Sequence, residues 1–409
     1  MKYAQCCVVG GGPAGMMAGL LLARAGVRVT VVEKHGDFLR DFRGDTVHPS
    51  TLRLLDELGL GEKFATLPQR KLERMRMHIG DRTVVAADFT RIPGPHRHIA
   101  MVPQWDFLNL LAESACAEPS FTIRMATQVM GTLHEGDRIA GVRLRETDGS
   151  TTELRADLVL ACDGRDSVVR DAAGLRQDTF EVPMDVWWLR IPAGAGDRHD
   201  GQVFARFEAG RAAVTMDRGD YYQTSYLIPK GADARLRARG IEWLRGELAE
   251  LFGWGDATVA AIESWDDVKL LRVTMGRLPR WYTDGLLCLG DAAHTMSPVG
   301  GVGVNLAIQD AVAAARILAA PLRSGTLTTA DLAKVQKRRW LPTAAVQRQQ
   351  FGEHDMLLRP CLDGTLDGLP APLRLLERIP ALAGLTAYFG GIGIRPERTP
   401  EFARGESPE

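Results

Sequence analysis

The feature that most constrains this chain is a glycine-rich turn, GGGPAG at residues 10–15, set between an apolar run and a helical pattern. Residues 5–9 form a short apolar run, which predicts a buried parallel strand. The helical pattern begins just after Gly15, and a second apolar run at residues 27–32 predicts another strand. This strand–turn–helix–strand order is the context that a dinucleotide-binding glycine motif requires.

Each glycine of the turn has a physical task in such a motif. Gly10 permits the tight turn, Gly12 lets the backbone approach a pyrophosphate, and Gly15 lets helix and strand pack closely. The free N–H groups at the start of the helix hold the phosphates. Glu33 ends the second strand, where a carboxylate accepts ribose hydroxyls. Because a carboxylate repels a 2′-phosphate, the expected ligand is FAD or NAD rather than NADP. A glycine-rich turn without a ligand is the alternative.

Composition excludes several classes of protein. The chain has 409 residues, 45% hydrophobic and 25% charged, with a formal net charge of -1, which fits a globular protein of two or three domains. This charge gives no basis for binding nucleic acid or an anionic membrane. The longest apolar stretch, near residues 13–23, is too short to span a bilayer. Six cysteines without a C-x-x-C pair, and an N-terminus that enters a strand at once, predict a cytoplasmic protein. No metal site is predicted, since His96 and His98 lack further ligands at suitable spacing.

The order of patterns along the chain predicts two sheets that interrupt one another. Helical patterns occupy 49–60, 104–115 and 304–318, and strand patterns occupy 75–89, 121–130, 139–145, 158–162 and 286–289. Three further strand patterns, at 202–208, 211–217 and 221–228, are separated by turns and predict an antiparallel meander. Beyond residue 328 the pattern is mainly helical and ends in a polar tail.

We therefore predict an α/β fold in which a three-layer, Rossmann-like dinucleotide-binding domain is interleaved with a mostly antiparallel sheet domain, followed by a helical C-terminal segment. The expected ranges are 1–75, 98–180 and 275–340 for the dinucleotide-binding domain, 76–97 and 181–274 for the sheet domain, and 341–409 for the C-terminal segment.

A second motif, CDGRDSVVR at residues 162–170, places an aspartate at the end of a predicted strand. Asp163 and Gly164 follow the apolar run at 158–162, and a helical spacing follows them. A carboxylate delivered there points into the crevice where open α/β sheets bind ligands. A plain helix N-cap is an equally good explanation of Asp163.

A third motif, GDAAH at residues 290–294, leads into the segment SPVGGVG at 297–303. Asp291 also ends a predicted strand and can accept a hydrogen bond from a ribityl hydroxyl. The segment forms a loop before a helix, so its N–H groups can approach the pyrimidine edge of a flavin and stabilise the anionic reduced ring. A rigid connector is the alternative. His294 is better explained as a structural hydrogen-bonding residue than as a base.

With the three motifs in this order, about the first three-quarters of the chain resembles the group A flavoprotein monooxygenases, the family of para-hydroxybenzoate hydroxylase. The resemblance implies noncovalent FAD, and it adds Arg43 in the segment FRG and Gln104 in the segment PQW to the site. The cofactor-binding residues predicted from the motifs and the resemblance together are Gly10, Gly12, Pro13, Ala14, Gly15, Glu33, Lys34, Arg43, Gln104, Asp163, Gly164, Gly290, Asp291, Pro298, Gly301, Gly303, Val304 and Asn305.

The resemblance implies a monooxygenase that uses NADH or NADPH and O2 to hydroxylate an aromatic or other electron-rich small molecule through a flavin C4a-hydroperoxide. The cofactor carries this chemistry, so no catalytic side chain is assigned, and the loop of Pro298, Gly300 and Gly301 is the candidate. A second glycine fingerprint is missing, which implies a transient nicotinamide site. The alternatives are a dehydrogenase or reductase of the same fold, or a non-catalytic FAD-binding regulatory protein.

Four aromatic residues in the second sheet are candidates for the wall of a substrate pocket: Trp187, Trp188, Tyr222 and Tyr226. Neighbouring residues of a strand face opposite ways, so at most one of the two tryptophans lines the pocket easily. Core packing is the favoured explanation for any single one of the four. The segment WWL also resembles the tryptophan motif of flavin-dependent halogenases, but Leu189 stands at the second tryptophan position and a catalytic lysine is not evident. The identity of the substrate and the oligomeric state are not predicted.

Overall fold

The computed structural model describes residues 2–39, 46–193 and 203–405. Arg43, one of the predicted cofactor-binding residues, lies outside them. The strands within the described residues are β1 Lys2–Val9, β2 Val29–Val32, β3 Thr46–Val47, β4 Arg70–Leu72, β5 Arg74–Ile79, β6 Arg82–Asp88, β7 Ile99–Met101, β8 Phe121–Arg124, β9 Gln128–Glu135, β10 Arg138–Arg145, β11 Thr151–Ala161, β12 Asp178–Phe180, β13 Met184–Pro192, β14 Val203–Glu208, β15 Arg211–Asp217, β16 Tyr221–Pro229, β17 Lys269–Leu271, β18 Met275–Arg277, β19 Tyr282–Thr283, β20 Leu286–Cys288 and β21 His294–Thr295.

Helices connect and cover these strands. The α-helices of the described residues are α1 Pro13–Arg24, α2 Pro49–Glu57, α3 Gly61–Ala65, α4 Gln104–Cys116, α5 Val168–Ala172, α6 Asp233–Arg237, α7 Ile241–Phe252, α8 Asp256–Ala260, α9 Gly303–Ser324, α10 Thr329–Glu353, α11 Arg359–Leu362, α12 Ala371–Arg378 and α13 Leu382–Gly391. Short 3-10 turns lie at Phe89–Arg91, Trp265–Asp267, Gly290–Ala292, Val299–Gly301 and Glu401–Ala403, and a π-helical turn lies at His354–Leu358.

The first sheet has a parallel centre, in the strand order β20-β11-β1-β2-β8, with β19 antiparallel at one edge. The C-terminal halves of β1 and β11, at residues 6–9 and 158–161, are apolar and buried on both faces, as parallel strands between covering layers must be. The eleven-residue β11 also pairs antiparallel with β10, and β10 pairs with β9. Helix α1 packs on this sheet together with α4 and α9.

The second sheet is mostly antiparallel, in the order β17-β13-β16-β15-β14-β5-β6, with one parallel pair between β14 and β5. Its outer face packs on α7 through Leu244, Leu248 and Leu251. Its inner face packs on the π-helical turn, α11 and α12, and on Val299 of the loop before α9. The predicted fold class, a Rossmann-like α/β domain with an antiparallel sheet and a helical C-terminal segment, is confirmed.

Several predicted elements differ from the structure in extent. The predicted strand at 121–130 is two strands, because Ala126 adopts a left-handed backbone conformation with φ of 51°. The predicted helix at 49–60 corresponds to α2, which ends at Glu57, and α3 begins just beyond the predicted range. Helices α6, α7 and α8 were not predicted within the range given to the sheet domain, although the leucines of α7 repeat at helical spacing. The expected boundary between 340 and 341 falls within α10, and the domain division stays a prediction.

Within the described residues one helical segment, Val299–Ser324, is long and apolar enough to cross a membrane. It is a different segment from the stretch near residues 13–23 that the sequence analysis took as the longest. Its apolar window is 72% buried inside the protein, where α9 packs between α1 and α10. Core packing therefore accounts for its composition.

Candidate functional site

The three motifs meet at one edge of the first sheet, because four parallel strands end there at the same level. In the register, Val9 pairs with Val32 on one side and with Ala161 on the other, and Ala161 pairs with Cys288. Hydrogen bonds continue this level beyond the strands: the Gly10 N–H donates to the Val32 carbonyl at 2.8 Å, and the Cys162 N–H donates to the Val9 carbonyl at 2.8 Å. The residues that follow the strands therefore form one row.

The glycines of the first motif differ in the space around them. Gly10 has φ of +100°, and a Cβ there would lie 2.5 Å from the Cys162 carbonyl oxygen. A Cβ on Gly15 would lie 1.9 Å from the Gly10 carbonyl oxygen. Gly12 is different, since a Cβ there would meet no described atom within 4 Å. Gly10 and Gly15 are thus needed for packing, whereas Gly12 borders open space at the start of α1.

The start of α1 presents backbone donors to this space. Gly12 is the N-cap residue, Pro13 is the first helical residue, and no described side chain caps the helix. The N–H groups of Ala14 and Gly15 precede the first intrahelical bond, which Met16 donates to the Gly12 carbonyl at 2.9 Å. Such an uncapped helix start beside an open glycine is suited to a phosphate.

Glu33 lies at the end of β2, next to the first motif. Its buried carboxylate accepts hydrogen bonds from the Gly11 N–H at 2.8 Å and from the His35 N–H at 3.0 Å, one on each oxygen. These bonds fix the direction of the carboxylate. Each oxygen has two lone pairs, so the carboxylate can still accept from a hydroxyl. The neighbouring Lys34 is exposed.

Asp163 serves as a helix cap and keeps one acceptor unused. Its Oδ2 accepts from the Val168 N–H at the start of α5 at 2.9 Å. Its Oδ1 is buried and has no hydrogen-bond partner among the described residues. Burial raises the pKa of this carboxyl, which an external donor at Oδ1 would offset. Ser167 is the N-cap residue of α5, the Asp163 carboxylate adds a bond to the same helix start, and the ligand role of Asp163 stays a prediction. Gly164 follows with φ of +86° and no described atom within 4 Å of a Cβ.

The third motif packs against the first. A Cβ on Gly290 would lie 2.9 Å from the Ala307 Cβ and 3.6 Å from the Ala14 Cβ, so the motif lies close to the first turn of α1 and the second turn of α9. The half-buried Asp291 follows in the 3-10 turn at the end of the same row. Gln104 is half-buried at the first position of α4.

His294 is a structural residue of a buried ionic network. Its Nε2 lies 2.6 Å from Asp310 Oδ2, and Asp310 also accepts from Arg339 Nε at 2.9 Å and from the Gly290 N–H at 3.2 Å. Burial alone would raise the pKa of Asp310, but the His294 and Arg339 contacts outweigh it and hold that pKa below its usual value. Asp310 thereby anchors both ends of the third motif.

The loop at 297–303 connects this network to α9. Gly300 and Gly301 have φ of 76° and 63°, conformations that favour glycine. Helix α9 begins at Gly303, followed by the half-buried Val304, and its start lacks a side-chain cap among the described residues. The half-buried Pro298 precedes the 3-10 turn.

The side chain of Asn305 is occupied within the protein. Its Oδ1 accepts from the His48 N–H at 3.1 Å and from Thr51 Oγ1 at 2.8 Å. Its Nδ2 donates to the Thr46 carbonyl at 3.5 Å, so the side chain ties the start of α9 to α2 and β3.

Three of the four predicted wall residues are core residues of the outer face. Trp187 Nε1 donates to Asp233 at 2.7 Å, Tyr226 OH donates to Glu247 at 3.1 Å, and the Tyr222 ring stacks on Trp254 at 5.0 Å. All three are covered by α7 and the segment after it. Core packing, the explanation favoured for any single one of the four, describes Trp187, Tyr222 and Tyr226, which face α7 rather than the inner face.

Trp188 is the one predicted wall residue on the inner face. It is half-buried beside the same apolar cluster as Val299, and its Nε1 is buried without a hydrogen-bond partner among the described residues. Strand alternation puts Gln223 and Ser225, which alternate with Tyr222 and Tyr226 in β16, on this face. Their partners in β15, Met216 and Val214, lie on the same face. Sequence reasoning missed these four, and the same alternation that separates Trp187 from Trp188 could have found them.

Within the described part of the chain, no group of three or more His, Cys, Asp or Glu side chains could hold a metal ion. The row of strand ends instead combines two uncapped helix starts, an open glycine and carboxylates at both ends. That combination defines a protein that binds a dinucleotide cofactor along the edge of a parallel sheet.

Comparisons with known proteins identify the family. Residues 3–349 match the family described as FAD binding domain, and the chain belongs to this family. It is 36% identical over 361 residues to 6-methylpretetramide 4-monooxygenase of Streptomyces rimosus, covering 87% of this chain and 85% of that protein. It is 29% identical to protoasukamycin 4-monooxygenase of Streptomyces nodosus subsp. asukaensis, covering 78% and 80%.

A solved structure supports the fold. The anhydrotetracycline hydroxylase of Streptomyces rimosus superposes with a TM-score of 0.77 at 24% identity, covering 98% of this chain and 77% of that one. Family and relatives together make this protein an FAD-dependent monooxygenase, whose cofactor is FAD and whose co-substrates are O2 and NADH or NADPH. It hydroxylates an aromatic or other electron-rich small molecule.

Proposed function

We propose that FAD lies along the row of strand ends, with its adenosine at Glu33 and its ring beside the loop at 297–303. The order of chemical groups along the row supports this proposal. The Glu33 carboxylate comes first, then the open Gly12 at the uncapped start of α1, then the unpartnered Oδ1 of Asp163, and then Asp291. Ribose hydroxyls, pyrophosphate and ribityl hydroxyls follow one another in FAD in a matching order.

The proposed contacts divide by element. Gly10, Pro13, Ala14 and Gly15 shape the helix start that holds the pyrophosphate, while Lys34 follows Glu33 on the adenosine side. Arg43, which lies outside the described residues, is assigned to the FAD site from the family resemblance alone. Gln104, Asp163, Gly164, Gly290 and Asp291 surround the ribityl chain. The backbone of Pro298, Gly301, Gly303, Val304 and Asn305 faces the ring. The assignments of the described residues rest on their positions along the row.

Bound FAD supplies the redox and oxygen chemistry, and the chain supplies binding and orientation. The N-terminus of α9 carries partial positive charge, and the glycine loop brings its N–H groups to the edge of the site. Negative charge placed beside this helix start is stabilised without a charged side chain. Trp188 of the inner face and Val299 of the loop pack against the same apolar cluster, so a substrate bound beside them would be shielded from water.

We propose that the substrate is a fused-ring phenol that binds between this loop and the inner face. Trp188, Val214 and Met216 offer apolar and aromatic contact, and Gln223 and Ser225 offer polar groups at the same face. Arg218 donates two hydrogen bonds to Gln223 Oε1, at 2.9 and 2.7 Å, so the side-chain amide is held in one orientation. The relatives whose names specify polycyclic substrates support this size of ligand.

The division of the chain into an FAD-binding domain and a substrate domain stays a proposal, in which the first sheet holds FAD and the second covers the substrate. The free cysteines of the described residues and the need for reduced nicotinamide favour a cytoplasmic location.

The test is a screen of NADH and NADPH oxidation against simple phenols, aromatic acids and fused-ring phenols, followed by one turnover reaction under 18O2. We expect stimulated oxidation with a fused-ring phenol and one 18O atom in the product. Flavin reduction without 18O in the product would support a dehydrogenase or reductase, and a flavin that neither nucleotide bleaches would support a regulatory protein.

A further inference from the structure

Helix α10 holds the loop at 297–303 from behind through three buried side chains on one face. Gln347, Gln350 and His354 are spaced by three and four residues, which places them in one row on the helix surface. Their exposed fractions are 1%, 2% and 1%, so water does not compete for their hydrogen bonds. All three contact the chain between Thr295 and Val299.

Gln350 forms three hydrogen bonds with the backbone of the loop. Its Oε1 accepts from the Ser297 N–H at 3.2 Å, and its Nε2 donates to the Ser297 and Val299 carbonyls, both at 2.9 Å. A single amide thus fixes the backbone on both sides of Pro298. Gln347 extends the support, since its Nε2 donates to the Thr295 carbonyl at 3.1 Å and to the Gly276 carbonyl at 2.9 Å.

His354 adds a contact to the side chain of the same loop residue. Its Nε2 lies 2.9 Å from Ser297 Oγ, and Ser297 is 2% exposed. A π-helical turn begins at His354, and such turns are rare in helices and frequent at functional positions. Burial lowers the pKa of this imidazole, so the contact is one between neutral groups at pH 7.

We infer that Gln350 and His354 are positioning residues that set the redox potential of bound FAD through the loop. The inference rests on the proposed function, in which the loop and the start of α9 face the ring. Stabilisation of the negative charge on the reduced ring depends on where these N–H groups are held. A loosened loop stabilises that charge less well, and the midpoint potential becomes more negative.

The test measures midpoint potentials of folded, FAD-loaded proteins by equilibration with a reference dye. Gln350→Met and His354→Phe remove the hydrogen bonds at similar side-chain size. We expect each to lower the potential by at least about 30 mV, which is tenfold in the equilibrium constant of a two-electron couple. His354→Gln, whose amide can still reach Ser297 Oγ, should return most of the shift. Gln349→Ala is the matched control, because Gln349 is exposed on the same helix and contacts only Glu353 among the described residues.

Unchanged potentials in Gln350→Met and His354→Phe overturn the inference, as does a His354→Gln value equal to that of His354→Phe. If Gln350→Met does not fold, the two His354 variants decide. Loss of stability alone leaves the potential of the loaded protein where it was. A parent protein that takes up no FAD overturns the proposed function instead, so the two failures are distinct.

Discussion

The two sheets carry functional information in different ways. At the edge of the first sheet it lies in the backbone, since Gly10 and Gly15 leave no room for a Cβ and Gly12 borders open space. In the second sheet it lies in the face to which a side chain points. Trp187 and Trp188 are neighbours in sequence. Trp187 is fully buried against α7, whereas Trp188 packs on the apolar cluster that also contacts Val299 of the loop.

This difference explains why the edge of the first sheet has a sequence motif and the inner face of the second sheet does not. A backbone that must adopt positive φ or touch a ligand restricts the residue type at each position. A sheet face only has to be filled, and aromatic residues fill a core as well as they line a pocket. Substitutions in the two regions should therefore fail differently.

Gly12→Val should have the largest effect, and it should fall on FAD binding rather than on folding. Its side chain enters the open space where a pyrophosphate must approach. We expect FAD affinity to fall by more than about a thousandfold, or about 4 kcal/mol, with an unchanged circular dichroism spectrum. Gly246→Val is the control, since Gly246 lies in α7 with equally open surroundings. Parental FAD affinity in Gly12→Val would place the pyrophosphate elsewhere.

The neighbouring tryptophans test the second sheet. Trp187→Ala removes a buried ring and its bond to Asp233, so stability should fall by about 3–5 kcal/mol. Trp188→Ala should cost less stability and instead raise KM for the substrate found by screening. Thermal unfolding and steady-state kinetics separate the two effects. If Trp187→Ala raised KM and Trp188→Ala caused the larger loss of stability, the substrate would lie on the outer face of the sheet instead.

His48 should give the cofactor side a dependence on pH. Burial lowers its pKa to about 4. The unfolded chain, with an ordinary pKa near 6.5, therefore binds more protons between these values, and stability rises with pH across that window. Above about pH 6.5 the neutral His48 leaves the free energy of unfolding at its full value. By pH 4 that free energy has fallen by about 3 kcal/mol. His48→Gln should flatten this slope in unfolding midpoints from pH 4 to 7, and His78→Gln, on the half-exposed outer face, should flatten it less. Equal slopes for the parent and His48→Gln would refute the assignment.

Asp291→Ala should have the smallest effect of the four and leave the fold intact. Loss of one charge-assisted hydrogen bond costs about 1.5–3 kcal/mol, so FAD affinity should fall about tenfold to a hundredfold. Asp291→Asn, which keeps an acceptor, should lose less. Titration of the apoprotein with FAD measures both variants, and equal affinity of Asp291→Ala and the parent would remove Asp291 from the site.

Sequence predicted the parallel strands and the motif turns well because each leaves a local pattern. Apolar runs marked β1, β11 and β20, and Asp163 and Asp291 follow the adjacent strands β11 and β20. Sequence did not predict which face of the second sheet points inward, since this depends on α7 and on the loop near Val299, both distant in the chain. Nor did it find Gln350 and His354, whose partners lie more than fifty residues away.

The row of strand ends is expected to bind one FAD noncovalently. Acid extraction of the purified protein, followed by chromatography and quantitation of the released flavin per chain, tests it most directly. The account predicts one FAD per chain, released by acid without proteolysis. Release of FMN alone, or no flavin even after reconstitution with FAD, would contradict it.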